Sequence, residues 1–385
     1  MRFLDHPLWL VGFRPFFLLG CIAGALLPAV WALLYSGTGT LTASPVDPLR
    51  WHAHEMYFGF GWAILGGFLL TSTKNWVNIR GHHGAALACL AAAWLLERLG
   101  MAFGGNWPKL LFLLSNNLFL GSIVAMLQWT LIRHRQQDSY RDNAFFVVLL
   151  PTFIVAKQLM LHGDFATGSS MALALFRLAF LVMLERTLTQ FMKAAFQAQL
   201  LRQPVLDMPI KLLGLTLVGA FLLPASVDAA LSLTLAALLL VRFAFWKPTL
   251  AFRRIDIGIM YVGYLAIVGQ LLLSAVAKFT EPGWVGSVST HLFTFGAMGC
   301  IIPAMIVRIA NGHTGRKVVF SPFDRGILYI MLAALLIRVV VPQFAPELYL
   351  ACIHAAATCW LLAFGLLGWR YAPMLLKPRI DGREH

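Results

Sequence analysis

The stretch WHAHEMYFGFGWAILGGFLLT, residues 51–71, opens with two histidines and a glutamate and then carries no charge until Lys74. A helix needs about 20 apolar residues to cross the hydrocarbon core of a bilayer. Hydratable, metal-friendly side chains therefore stand at the mouth of a segment built for lipid. The rest of the chain repeats the apolar part of this pattern. Of 385 residues, 59% are hydrophobic and 12% charged, against roughly 25% charged in an ordinary soluble domain. Mean hydropathy is +0.77. So few polar groups cannot cover a water-facing surface of that size, so most of the surface must face lipid.

Apolar runs of spanning length recur at 14–36, 52–73, 84–102, 109–132, 143–161, 169–191, 209–227, 229–246, 257–279, 286–310, 323–341 and 345–372. Turn formers punctuate them, among them RGHHG, FGGNWP, TEPG and NGHTG. The expectation is an all-α polytopic bundle of about twelve spans in a single integral membrane domain over 1–385. The tightest connection is at Pro224–Asp228.

The net charge of +14 would suggest nucleic acid in a soluble protein. Here its distribution gives a membrane explanation. Lys74 and Arg80; Arg133, Arg135 and Arg141; Lys193 and Arg202; Lys247, Arg253 and Arg254; Arg316 and Lys317; and the tail residues Lys377, Arg379 and Arg383 all fall on one set of loops. The alternate loops hold little beyond Arg50, Lys109 and Lys278. Basic residues mark the cytoplasmic side, so both termini are expected in the cytoplasm and no nucleic-acid partner is implied. The N-terminus lacks a small-residue cleavage site and reads as retained. The five cysteines lie in apolar runs without a CxxC. They read as packing residues, with Cys352 and Cys359, seven apart on one helix face, open to a soft metal.

On this topology His52, His54, His162, His291 and His354 gather in the outer half of the membrane. His52 and His54 are two apart and point about 200° away from each other on a regular helix. They serve two neighbouring centres, or the helix begins between them; the plain alternative is an interfacial pair beside Trp51. Glu55 shares a face with His52 and is placed to orient it. In STHLFTFGAMGC (289–300), His291 precedes Gly296, Ala297 and Gly299. Such small residues admit either a flat macrocycle or another helix. Lys157, Arg177, Glu185, Arg242 and Arg338, with Glu97 and Arg98, are charges within spans and require partners. Arg98 and Arg338 fall toward the outer side, where haem propionates would need cations; ion pairs of Glu97 or Glu185 with an arginine are the alternative. His313, Arg316 and Lys317 on the inner side suit an anion or a positive-inside loop.

Four blocks carry a family resemblance: HPLWLVGFRPFFLLG (6–20), WHAHEMYFGFGWAILGGFLLTSTKNW (51–76), HLFTFGAMGCIIPAMIVRIANGHTGR (291–316) and PRIDGRE (378–384). In combination and order the chain resembles the NnrS family. The resemblance implies a membrane protein of about twelve helices that binds haem and copper and is linked to nitric oxide metabolism, nitrosative stress and denitrification in bacteria. Carried over by position, it singles out Arg14, His52, His54, Glu55, Asn75, Trp76, His291, Arg308, His313 and Arg316. The segment at 181–197 departs from the family pattern, with only Arg186 and Phe191 fitting.

The combined expectation is a multi-pass protein of the bacterial inner membrane with non-covalent b-type haem and copper. Metal ligands are expected among His52, His54 and His291, and, on topology alone, His354. Cofactor contacts are expected from Arg98, Arg338, His313 and Arg316, with Glu55 as a proton carrier. Turnover would reduce nitric oxide to nitrous oxide with electrons from quinol. A sensor or metal-handling protein without turnover is the alternative. A transporter is a third reading, without an inverted repeat to support it.

Overall fold

The computed structural model describes residues 3–382. Arg383 and the end of the PRIDGRE block lie outside them. The described residues form helices and no strand, and twelve helices are long and apolar enough to cross a membrane. They are α1 Phe13–Tyr35, α2 Pro48–Trp76, α3 Ala85–Asn106, α4 Lys109–Arg133, α5 Arg141–His162, α6 Phe165–Phe196, α7 Pro204–Leu222, α8 Ala225–Phe245, α9 Ile255–Val276, α10 Val288–His313, α11 Pro322–Phe344 and α12 Pro346–Leu375. All twelve expected spans are present.

The largest differences have local causes. Helix α2 starts at Pro48 rather than at His52. Asp47 Oδ1 accepts from the Arg50 N–H at 3.0 Å and Pro48 takes the first helical position, a start signal that lies outside the apolar run. The α7–α8 turn falls at Leu223–Pro224. Asp228 is inside the first turn of α8, where a carboxylate is favoured by the exposed N–H groups, and it pairs with Lys278 at 2.6 Å.

The chain divides into two compact units. The first comprises Met1–Gly168, Met305–Val319 and Trp360–His385; the second comprises Ser169–Ala304 and Phe320–Cys359. In the first, α1 lies against α2 through glycines. A Cβ at Gly20 would meet Ile64 at 2.4 Å, and one at Gly67 would meet Phe16 at 2.7 Å. In the second, Gly263 admits Ile301 and Gly296 admits Ala266 in the same way, so α9 seats closely on α10. Lipid tails are as apolar as leucine, so helices in a membrane associate by such close packing rather than by hydrophobic burial. Three spans are largely enclosed: 78% of the apolar window of α2, 72% of α6 and 83% of α10 are buried. Two of these three carry the WHAHE and STHLFTFG blocks.

Candidate functional site

The first helical stretch of α2 ends at His54. From Glu55 to Gly61 the backbone is a π-helix, and α-helix resumes over Trp62–Trp76. A π segment turns its side chains through a different angle per residue and is found mostly at functional sites. The partnership at its start also differs from the expected one. Glu55 faces His54 rather than His52: Nδ1 of His54 is 3.0 Å from Glu55 Oε1. His52 instead stacks on Trp31, with centroids 4.3 Å apart and planes at 12°.

His54 and Glu97 are wholly buried and Glu55 is nearly so. The second Glu55 oxygen takes Arg98 Nε at 2.8 Å, and Arg98 Nη2 lies 3.1 Å from Glu97 Oε1. Lys157, from α5, donates to both Glu97 and the Asn116 carbonyl. Arg98 also donates to the Phe58 carbonyl at 3.2 Å, and Trp94 to that of Gly59 at 3.0 Å. The π segment thus exposes carbonyls that α3 side chains reach. Gly59 eases this approach, because a Cβ there would sit 3.0 Å from Arg98 Nη1 and the guanidinium would have to give way. Two carboxylates face one guanidinium and one ammonium, so the cluster is neutral with His54 uncharged. Buried charges persist in a membrane only when paired in this way.

The tautomer of His54 follows from its neighbours. A carboxylate only accepts, so Nδ1 carries the proton that Glu55 receives. Nε2 faces a second carboxylate, Glu97 Oε1, at 3.3 Å. A ring held between two carboxylates calls for a positive centre on the Nε2 side, either a proton or a metal. An imidazole oriented by a carboxylate is the donor chemistry with which proteins hold metals. Among the described residues no group of three or more His, Cys, Asp and Glu is placed to hold a metal ion. The cluster thus offers a single imidazole donor and no cage of three protein ligands. All five cysteines are free thiols.

In the second unit, His291 closes a short helix, Val288–His291, and a π-helix covers Leu292–Met298. Its Nδ1 is 2.8 Å from the Ser287 carbonyl, and Arg338 Nη2 approaches Nε2 at 3.4 Å. Arg338 lies in another π segment, Leu336–Val340, donates to Tyr349 Oη at 3.2 Å and stacks over that ring. The slot at Gly296 is filled by Ala266, whose Cβ lies 2.3 Å from where a Cβ of residue 296 would be; helix packing uses that small residue. His354 lies on α12, partly buried, and its carbonyl takes the Thr358 hydroxyl. Another ion network surrounds Glu185, which lies 2.7 Å from both Arg202 and Lys211 and 3.8 Å from Arg242.

His313 and Arg316 belong to a different assembly in the first unit. The His313 ring packs on Phe13 at 5.4 Å, and its carbonyl takes Arg379 at 3.1 Å. Arg316 donates to Thr314 at 2.8 Å, and Arg14 donates to the Leu375 and Lys377 carbonyls. The GFRPFF, GHTGR and PRIDG blocks, far apart in sequence, thus meet and tie the tail to the body. Asn75 bonds back to Thr71, Arg308 is on α10, Arg186 is buried in α6 with Phe191 beyond it, and His162 is exposed at the end of α5. Outside the spans, His82 rests against the Thr130 hydroxyl at 3.3 Å, and burial pushes its imidazole below the usual histidine range.

Lys157 and Glu97 are members of the His54 cluster that sequence reasoning did not connect with it. Their signal was present as charges within spans. Their pairing, across 60 residues, became visible only through packing.

A family model described as NnrS protein matches residues 7–379. A search of curated proteins finds no match.

Proposed function

The chain belongs to the NnrS family, and from that premise we propose that it is a haem-binding protein of the bacterial inner membrane that takes up nitric oxide in nitrosative-stress defence or denitrification. One observation supports the proposal: a wholly buried imidazole, His54, whose Nδ1 is oriented by Glu55 and whose Nε2 faces Glu97 at 3.3 Å. A haem, if bound, would supply iron chemistry able to take a small neutral gas.

The protein's own groups have definable parts in this reading. His54 would hold the haem, and Glu55 fixes the ring by accepting the Nδ1 proton. Arg98 offers a guanidinium to an acidic edge of the ligand. Lys157 balances Glu97, which would otherwise be an unpaired anion in a low-dielectric site. Enclosure of α2 excludes water. Glu55 is the carboxylate nearest to accept or release a proton at Nδ1. Copper remains an expectation of family membership, and no step is built on it.

A reaction consuming nitric oxide would draw electrons from quinol. A second reading, binding without turnover, is favoured by the charge balance of the cluster. With Glu55 and Glu97 each held by a cation, moving a proton through them requires breaking an ion pair. The test is an optical spectrum of protein purified from haem-replete cells, reduced and then exposed to nitric oxide. The reading expects a Soret band that shifts with nitric oxide and disappears in His54→Ala. Purified protein without a Soret band overturns it. Nitric-oxide-dependent oxidation of a quinol separates turnover from sensing.

A further inference from the structure

We propose that the end of α4 and the α2–α3 connection form a binding site for a glycerophospholipid with two phosphates, one held at Arg80 and the other at Arg133, with Trp129 between them. The site is independent of the haem reading, and all of its residues belong to the first unit.

Two open cavities adjoin at this end of the unit. One, of about 360 Å³, is bordered by Arg80, His82, His83, Trp129 and His134. The other, of about 400 Å³, is bordered by Arg133 and again by Trp129 and His134. Because they share an indole and an imidazole, they are two halves of one hollow with an arginine in each half. Its walls are fixed. The Ser139 N–H and hydroxyl both donate to the Trp76 carbonyl at 3.0 Å, which ties the turn after α4 to the end of α2. His82 rests on the Thr130 hydroxyl at 3.3 Å, and the Gly84 N–H donates to the Trp9 carbonyl at 2.7 Å.

The hollow is cationic without compensation. Among the described residues no Asp or Glu borders either cavity, and neither Arg80 nor Arg133 has a hydrogen bond or an ion pair. The acid nearest to Arg133 along the chain, Asp138, serves its own turn: Oδ1 takes the Tyr140 N–H at 3.0 Å and the Asn143 amide at 2.7 Å. Elsewhere on the same set of loops a cation has a local carboxylate, as in Arg254–Asp256 at 3.0 Å and Arg379–Asp381 at 2.6 Å. Guanidiniums left without a carboxylate in a hollow are donors for an anion, and their forked N–H groups match phosphate oxygens. The carboxyl end of α4 opposes an anion with about half a unit charge, which two full charges outweigh.

The ligand class follows from place. The hollow lies at the ends of two spans, α2 and α4, where headgroups lie. Trp129 is 66% exposed and stands four residues before Arg133, on the same helix face. An exposed indole beside a cation at a span end is an interfacial anchor. It offers the glycerol and first methylenes of a lipid an apolar contact that a phosphate ion has no use for. Basic hollows between spans on the cytoplasmic side are where anionic headgroups dock, and loop charge predicts that side for this end. One arginine on either side of one indole fits two phosphates rather than one.

The test is binding of defined lipids to the full-length protein, delipidated in detergent and read by mass spectrometry of the intact complex. The probes are cardiolipin, phosphatidylglycerol and phosphatidylcholine, with inorganic phosphate as competitor. One cardiolipin per chain should be held in preference to the other two lipids. A juxtamembrane cation contributes about fivefold in affinity, so Arg80→Gln and Arg133→Gln should each weaken cardiolipin by about that factor. Arg135→Gln removes the same charge from outside both cavities and should change nothing. Equal losses in all three variants would reveal diffuse surface charge and overturn the site. Equal affinity for phosphatidylglycerol overturns the two-phosphate assignment. Displacement of the lipid by inorganic phosphate overturns the lipid in favour of the free ion. The wild-type selectivity decides even where a variant fails to fold, and none of these readouts involves haem, so failure here leaves the proposed function standing.

Discussion

Glu97 lies where three cations or near-cations converge: Lys157, Arg98 and the ring of His54. It is fully buried, so its charge is tolerable only because of those partners. Glu97→Gln removes the anion and leaves the Lys157 ammonium uncompensated within a span. Breaking a buried pair by one partner costs about 3–5 kcal/mol, and thermal unfolding in detergent should show a loss of that order. Glu97→Leu combined with Lys157→Met should recover a large part of it, because no lone charge remains. Equal loss in the single and double variants would show that the pair's charges do not matter to the fold. The sequence identified both residues as charges needing partners. It could not pair them, since one sits on α3 and the other on α5, and which faces of two spans meet is set by packing rather than by spacing.

At the level of the helix, the π segments decide which backbone groups α3 can reach. The spacing predicts Glu55 on the His52 side. The backbone is α-helical up to Glu55, yet its carboxylate turns to the adjacent His54 and His52 lies on Trp31. No residue type in EMYFGFG encodes the π turn that follows. The segment holds its shape because Arg98 and Trp94 occupy its carbonyls and because Gly59 has no Cβ in their way. The counterpart in α10 packs more tightly, with Gly296 against Ala266. Gly296→Leu should overpack that contact and destabilise the protein by about 1–3 kcal/mol. The melting temperature should fall while Gly326→Leu, at a glycine with nothing within 4 Å, leaves it unchanged. Equal melting temperatures for the two variants would show that α9 and α10 have room the structure does not give them.

For the molecule as a whole, the cation asymmetry among the loops predicts an orientation. A phosphatase reporter, active only outside the cytoplasm, should be silent when fused after Leu375 and active when fused within the connection between α1 and α2, near Gly37. The reverse pattern would invert the membrane sides assigned to His54 and His291. The spans themselves were legible in the sequence because lipid imposes a one-dimensional rule: each crossing needs an unbroken apolar run with its backbone hydrogen-bonded internally. Composition, turn residues and loop charge therefore specify how many helices there are, roughly where each begins and which way each is expected to face. The candidate histidines were legible for the same reason, as polar groups where polar groups are expensive. Tertiary structure alone decided that Glu55 serves His54, that Lys157 completes the cluster, and that π-helical turns follow both His54 and His291. Those facts depend on side chains 40 to 60 residues apart meeting at ångström distances, and on a change of helical pitch that packing stabilises and no local sequence pattern requires.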